Sequence, residues 1–160
     1  MINMQVRLAG IKPESVTDGV GVRAVIYFQG CPHDCLGCHN PESHDPSAGY
    51  AADTAEILPV VLGNPLVEGI TLSGGEPFEQ PLAALALARG AKERGKSVWV
   101  YTGYRLEEIL QRPACRRVLR YIDVLVDGPF VLAERDLALP YRGSRNQRLL
   151  ALADWQDWLN

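Results

Sequence analysis

The chain has 160 residues, 47% of them apolar and 22% charged, with a formal net charge of −3. A chain of this length is expected to form a single domain over residues 1–160 and to bury roughly 70% of its unfolded surface without covalent staples. The slightly acidic balance excludes the electrostatic footprint of a nucleic-acid binder, and the longest apolar runs fall short of a membrane span.

Residues 1–7 carry no long apolar core and no cleavage motif, so no signal peptide is expected and the expected location is the cytoplasm, where thiols stay reduced. The rhythm that follows is strand, loop, helix. Residues 22–28 read as a strand, with a cysteine-bearing loop two residues later. Asp53 reads as the N-cap of a helix running through Ala55, Ile57, Leu58 and Val61. A short buried strand over 69–72 ends at Ser73-Gly74-Gly75, and an Ala/Leu-rich helix over 82–94 is closed by Gly95. A strand over 97–101 ends at Thr102-Gly103. Helices over 104–111 and 114–121 are separated by Pro113. A strand over 122–126 ends at Asp127-Gly128, and residues 146–153 suit a last strand. Alternating strands and helices imply parallel pairing. Ligands of parallel α/β folds gather at the C-terminal strand ends, where four polar or glycine-rich segments fall here. A full eightfold barrel needs about 250 residues. The expected fold class is therefore α/β, an incomplete, open parallel (β/α) barrel.

The first chemical signal lies in the loop after the first of these strands, where Cys31, Cys35 and Cys38 are spaced x3 then x2. Seven residues separate the outer pair, and Gly30, Pro32 and Gly37 supply the turns that fold the loop back on itself. Three convergent thiolates suit one 4Fe–4S cluster with one iron left open for a small molecule. The neighbouring His33, His39 and His44 leave a second reading open, a structural zinc site of the Cys3His kind. Such sites usually show paired C-x2-C spacings, and only Cys35 and Cys38 have one. The two-cluster ferredoxin run is not matched. Cys115 lies far off in a helical stretch and reads as a buried free thiol.

The second signal is Gly74-Gly75-Glu76-Pro77. The glycines let a ligand approach the backbone, and Glu76 adds a carboxylate that suits an amino acid's ammonium. A plain strand-to-helix turn is the alternative. Thr102 and Asp127 also stand at strand ends, with a turn-capping role for Asp127 as its alternative. Arg142, Arg145 and Arg148 form a local basic stretch, read either as a solvated loop or as a contact for a partner or a ligand carboxylate. Trp155 and Trp158 near the C-terminus read as packing residues, with a partner contact as the alternative.

Cys31-x3-Cys35-x2-Cys38 followed by Gly74-Gly75-Glu76 resembles the radical S-adenosylmethionine (SAM) superfamily. Four further segments, 18–23, 99–104, 123–130 and 142–147, are similar to the activating proteins of anaerobic ribonucleotide reductases. The resemblance spans residues 15–150. Gly37 stands where many superfamily members carry an aromatic residue, as is usual in this activator group. Cys38-His39-Asn40 is similar also to activators of the pyruvate formate-lyase type. Another glycyl-radical partner, or another radical SAM substrate, therefore stays open, as does a non-catalytic zinc or electron-transfer module.

The resemblance implies a 4Fe–4S cluster held by Cys31, Cys35 and Cys38, with SAM chelating the open iron. Gly37, Cys38 and His39 would lie along SAM, and Gly74, Gly75 and Glu76 would receive its ammonium. Cleavage by an electron from a flavodoxin-like donor would yield a 5′-deoxyadenosyl radical. That radical would take a hydrogen from a glycine of the reductase large chain.

Overall fold

The computed structural model describes residues 4–159; the first three residues of the segment read for a signal peptide lie outside them. In chain order the strands and α-helices are β1 (Gln5–Ser15), β2 (Arg23–Phe28), β3 (Tyr50–Asp53), α1 (Thr54–Val61), β4 (Gly69–Gly74), α2 (Pro81–Glu93), β5 (Ser97–Tyr101), α3 (Leu106–Leu110), α4 (Pro113–Val118), β6 (Val124–Asp127) and β7 (Arg148–Ala151). All seven strands share one sheet, ordered β3-β1-β2-β4-β5-β6-β7.

The centre of that sheet is parallel. Val25 pairs with Thr71, Thr71 with Trp99, and Trp99 with Val124, which ties β2, β4, β5 and β6 together. Ala24, Val25, Ile26, Ile70, Leu72, Val98, Val100 and Leu125 are all fully buried. Continuous apolar runs of this kind mark strands covered on both faces. Helix α2 supplies part of the cover with a stripe of Ala83, Ala84, Leu87, Ala88 and Ala91, small enough to lie close to its neighbours. Helix α1 starts where Asp53 accepts a hydrogen bond from the Ala55 amide at 2.9 Å, the expected cap.

The flanks are antiparallel. β1 pairs with β2 on one side and with β3 on the other, and β7 closes the far edge against β6. The all-parallel reading is therefore corrected, since β1, β3 and β7 run against their neighbours. β1 and β3 went unread for a physical reason. β1 contains Gly10 and Pro13, breaks register twice against β2, and buries fully only Val6, Leu8 and Ser15. β3 is four residues long and never fully buried. β3 is an edge strand and β1 an interrupted inner one, and the partners of each specify it more than its own residues do.

Near the C-terminus, Trp155 is fully buried and donates its indole N–H to the Leu119 carbonyl at 3.0 Å, whereas Trp158 is half exposed. Among the described residues no helix is long and apolar enough to cross a membrane. Because β2, β4, β5 and β6 are parallel, their C-terminal ends share one rim. The segments that follow Phe28, Gly74, Tyr101 and Asp127 all start there.

Candidate functional site

That rim encloses a cavity of about 460 Å³. Cys31, Cys35 and Cys38 line it together with His33, His39 and His44. Gly74, Gly75, Thr102, Gly103 and Gly128 form the strand-end wall. The opposite side comes from Thr17 and Asp18 and from Phe130, Tyr141, Arg142 and Gln147. The three loop thiols are free and half-buried, and Cys115 is buried elsewhere with its Sγ against the Phe78 carbonyl at 3.4 Å.

The cysteine loop is strapped to the strand ends by its backbone. Gly30 donates to the Ser43 carbonyl (2.6 Å), Cys31 to His44 (3.1 Å), and Glu76 donates back to Gly30 (2.8 Å). A side chain at Gly75 could not be accommodated, because its Cβ would lie 2.4 Å from the Gly30 carbonyl oxygen. Gly74 has φ +89°, a conformation that glycine adopts freely. The Cys38 Sγ accepts from the Asn40 amide at 3.4 Å, and His44 Nε2 lies at hydrogen-bond distance from it, also at 3.4 Å. Burial pushes the Cys31 thiol up to about 11 against the opposing backbone hydrogen bond of His33, with Glu76 and the other two cysteines adding to it. Burial likewise raises Cys35. Metal binding must displace such protons, so ligand formation and loading are coupled. The phenols of Tyr27 and Tyr101 also line the cavity, and burial holds both above their ordinary value, hence neutral near pH 7.

The loop over 129–147 is held by side chains. Gln147 accepts from the Gly143 amide (2.8 Å) and donates to the Gly128 carbonyl (3.1 Å), Asn146 donates to Pro129 (2.7 Å), and Ser144 Oγ accepts from Val131 (3.2 Å). Arg142, carried on this loop, donates from Nη1 to the Gln147 carbonyl at 3.3 Å. Its buried Nε has no partner.

Known proteins sort this geometry. A 4Fe-4S single cluster domain family matches residues 17–150. The chain is 38% identical over 146 residues to the anaerobic ribonucleoside-triphosphate reductase-activating protein of Haemophilus influenzae, covering 84% of this chain and 91% of that protein. The chain belongs to this activating-protein family. The namesake of Enterobacteria phage T4 is 32% identical over 90% of this chain and 93% of its own length, and that of Escherichia coli K12 is 34% identical over 84% and 92%. Among solved structures, QueE from Escherichia coli aligns at 20% identity with a TM-score of 0.49, over 62% of this chain and 53% of that one.

As a member of the activating-protein family, the chain has a donor set that fits a 4Fe–4S cluster. Three thiols reach one cavity large enough for an inorganic core and a ligand beside it. The zinc reading fits less well, since structural zinc sites usually show paired C-x2-C spacings and only Cys35 and Cys38 have one.

Several expectations are corrected by position. Glu76 is not on the rim. It is fully buried behind it, with its carboxylate accepting from His33 Nε2 (2.6 Å), the Gly103 amide (2.8 Å), the Phe78 amide (3.0 Å) and Thr102 Oγ1 (2.9 Å). Thr102 lines the cavity, but its hydroxyl is turned to Glu76 and accepts from the Tyr104 amide. Asp127 is buried beneath the rim. It caps α3 at the Leu106 amide (2.8 Å) and accepts from Arg148 Nε (2.9 Å). Arg148 is thereby committed to Asp127 and Glu107, while Arg145 is exposed. Gly37 makes a turn at φ +77° facing Leu132 and does not line the cavity. His33, named from sequence only in the zinc reading, is the surprise. Burial opposes its charge, but the Glu76 hydrogen bond and the charges of Glu76, Glu79 and Glu108 outweigh it and raise its pKa. Asp18, Tyr27, Tyr101 and Tyr141 were missed as lining residues. Tyr27 and Tyr101 stand at or next to the ends of β2 and β5, which was a usable signal, whereas Tyr141 reaches the site only through its loop.

Proposed function

We propose that the chain forms the glycyl radical of an anaerobic ribonucleotide reductase large chain by reductive cleavage of SAM at a 4Fe–4S cluster. The observation that carries this reading is the meeting of Cys31, Cys35 and Cys38 with the Gly74–Gly75 turn around one cavity. In this reading residues 1–160 act as one domain, and the sheet curls into a partial barrel left open between β3 and β7.

Cys31, Cys35 and Cys38 would hold the cluster, which would supply the electron that splits the SAM sulfonium into methionine and a 5′-deoxyadenosyl radical able to take a hydrogen from the target glycine. Fe–S potentials reach down to about −700 mV, and this chemistry needs the low end, so a flavodoxin-like donor in the cytoplasm is part of the proposal. The residues of this chain bind and orient. The open backbone at Gly74 and Gly75 accepts the SAM ammonium, and Cys38 and His39 flank the ligand. Arg142 lines the cavity, and a turn of its side chain would bring the guanidinium, whose buried Nε has no partner, to the SAM carboxylate in a charge-assisted bond of the stronger class. Tyr27, Tyr101 and Phe130 exclude water from the reacting atoms. Leu36 (78% exposed) stands on the cysteine loop and Leu137 (80% exposed) on the 129–147 loop, in reach of an entering partner chain.

The test is 5′-deoxyadenosine formation from SAM by anaerobically reconstituted protein with dithionite. Wild type and Cys115→Ala form it, and Cys35→Ala does not. A Cys35→Ala protein that still cleaves SAM would refute the ligand set.

A further inference from the structure

We propose that Glu76 acts as the positioning residue that tethers the cysteine loop, through His33, to the ends of β4 and β5, rather than as a ligand of the SAM ammonium. The inference rests on the reading of Cys31, Cys35 and Cys38 as cluster ligands.

Four observations converge on it. Glu76 has no exposed surface, so its carboxylate cannot meet a ligand without a rearrangement. Its acceptor sites are already occupied by donors from three segments: Phe78 beyond its own turn, Thr102 and Gly103 at the end of β5, and His33 in the loop. A carboxylate only accepts, so the His33 ring must carry its proton on Nε2 and donate it. Finally, the ring is fitted to its place. Tyr104 packs edge-on against it with centroids 4.5 Å apart, and a Cβ at Gly103 would lie 2.4 Å from His33 Cδ2.

His33 stands between Cys31 and Cys35, so fixing its ring fixes the stretch of backbone that presents both thiols. The other end of the tether is the turn whose glycines form the opposite wall. Loop and wall are thereby set at one spacing before any ligand arrives, which lowers the ordering cost of building the site. Tyr104 carries the arrangement outward, since its hydroxyl donates to Glu79 and Arg112 lies 4.6 Å over its ring.

The experiment measures iron release from the reconstituted holoprotein to a chelator, together with the EPR spectrum of the reduced cluster and the KM for SAM. His33→Ala removes the tether and is expected to release iron about tenfold faster, the loss of one buried charge-assisted bond. His33→Gln is expected to restore slow release, because its side-chain amide can donate from the same place. Gly103→Ala, which displaces the ring, and Glu76→Gln, which sets an N–H against donors, should resemble His33→Ala. All should keep the wild-type far-UV spectrum, and the fast-releasing variants should show broadened cluster EPR. The tether is overturned if His33→Ala and His33→Gln release iron at the wild-type rate, or if Glu76→Gln raises the KM for SAM while leaving iron release and EPR unchanged. A wild-type protein that binds no iron would overturn the cluster reading itself, a result distinct from a loaded wild type with an inert His33→Ala.

Discussion

Two charged side chains near the same cavity, one buried behind its wall and one lining it, stand in opposite conditions. Glu76, on the wall formed by β4 and β5, is wholly buried and has a donor at every acceptor site that geometry allows. Arg142, on the 129–147 loop, has one long hydrogen bond and a buried Nε without a partner. Buried polar groups are almost always satisfied, and an exception calls for an explanation. The saturated carboxylate is part of the scaffold. The guanidinium keeps one N–H without a partner, the capacity that the proposed contact with the SAM carboxylate would use.

That contrast can be broken at either residue. Removing the scaffold group has the largest expected effect. Glu76→Ala leaves His33, Thr102 and the Gly103 and Phe78 amides without an acceptor and should cost about 3 kcal/mol or more in urea unfolding of the metal-free protein. A loss below about 0.5 kcal/mol would show that Glu76 is not structural. Arg142→Met should do the opposite. Stability should change by less than about 0.5 kcal/mol, whereas the KM for SAM should rise about tenfold or more, as for a lost hydrogen bond to a charged group. An unchanged KM would assign the spare N–H to something other than the cofactor.

Smaller changes sharpen the comparison at the mouth of the cavity. Leu36→Asp should raise the concentration of reductase large chain needed for half-maximal activation several-fold while leaving uncoupled SAM cleavage as in wild type. Equal losses in both would place Leu36 in the site rather than at the partner contact. A cluster-bound Cys38 thiolate can only accept from the His44 ring nitrogen beside it, so His44→Ala would remove a hydrogen bond to a cluster sulfur, and such bonds help set the potential. Its reduction midpoint should move to more negative values by tens of millivolts, read by EPR-monitored titration.

The sequence was legible where signals are local. Three cysteines within eight residues, the Gly74–Gly75 turn, and the apolar runs of β2, β4, β5 and β6 each declare themselves without reference to the rest of the chain. β1 and β3 were not legible, because a strand interrupted by Gly10, Pro13 and two register breaks, and the four-residue edge strand beside it, take their shape from their partners. The site showed the same division. Cys31, Cys35 and Cys38 reach one cavity as their spacing implied. Glu76 was read as facing a ligand, and Asp127 either as facing one or as capping a turn, yet both turn inward and take donors remote in sequence. His33 lies 43 residues from Glu76, and Arg148 lies 21 from Asp127. Of the partners of Glu76 and Asp127, only the Phe78 amide lies within a local window of its carboxylate. Arg142 was visible only as one of three arginines, and the structure separates it from the others by what each has left to bond.

The central claim is that this rim directs SAM chemistry at a glycine of a reductase large chain. The most direct measurement uses a large chain made with α-deuterated glycine, incubated anaerobically with the reconstituted protein, SAM and dithionite. Mass spectrometry then reads the 5′-deoxyadenosine formed. Deuterium appearing in 5′-deoxyadenosine in step with a glycyl-radical EPR signal is the predicted result. Cleavage of SAM with no deuterium transferred would contradict it.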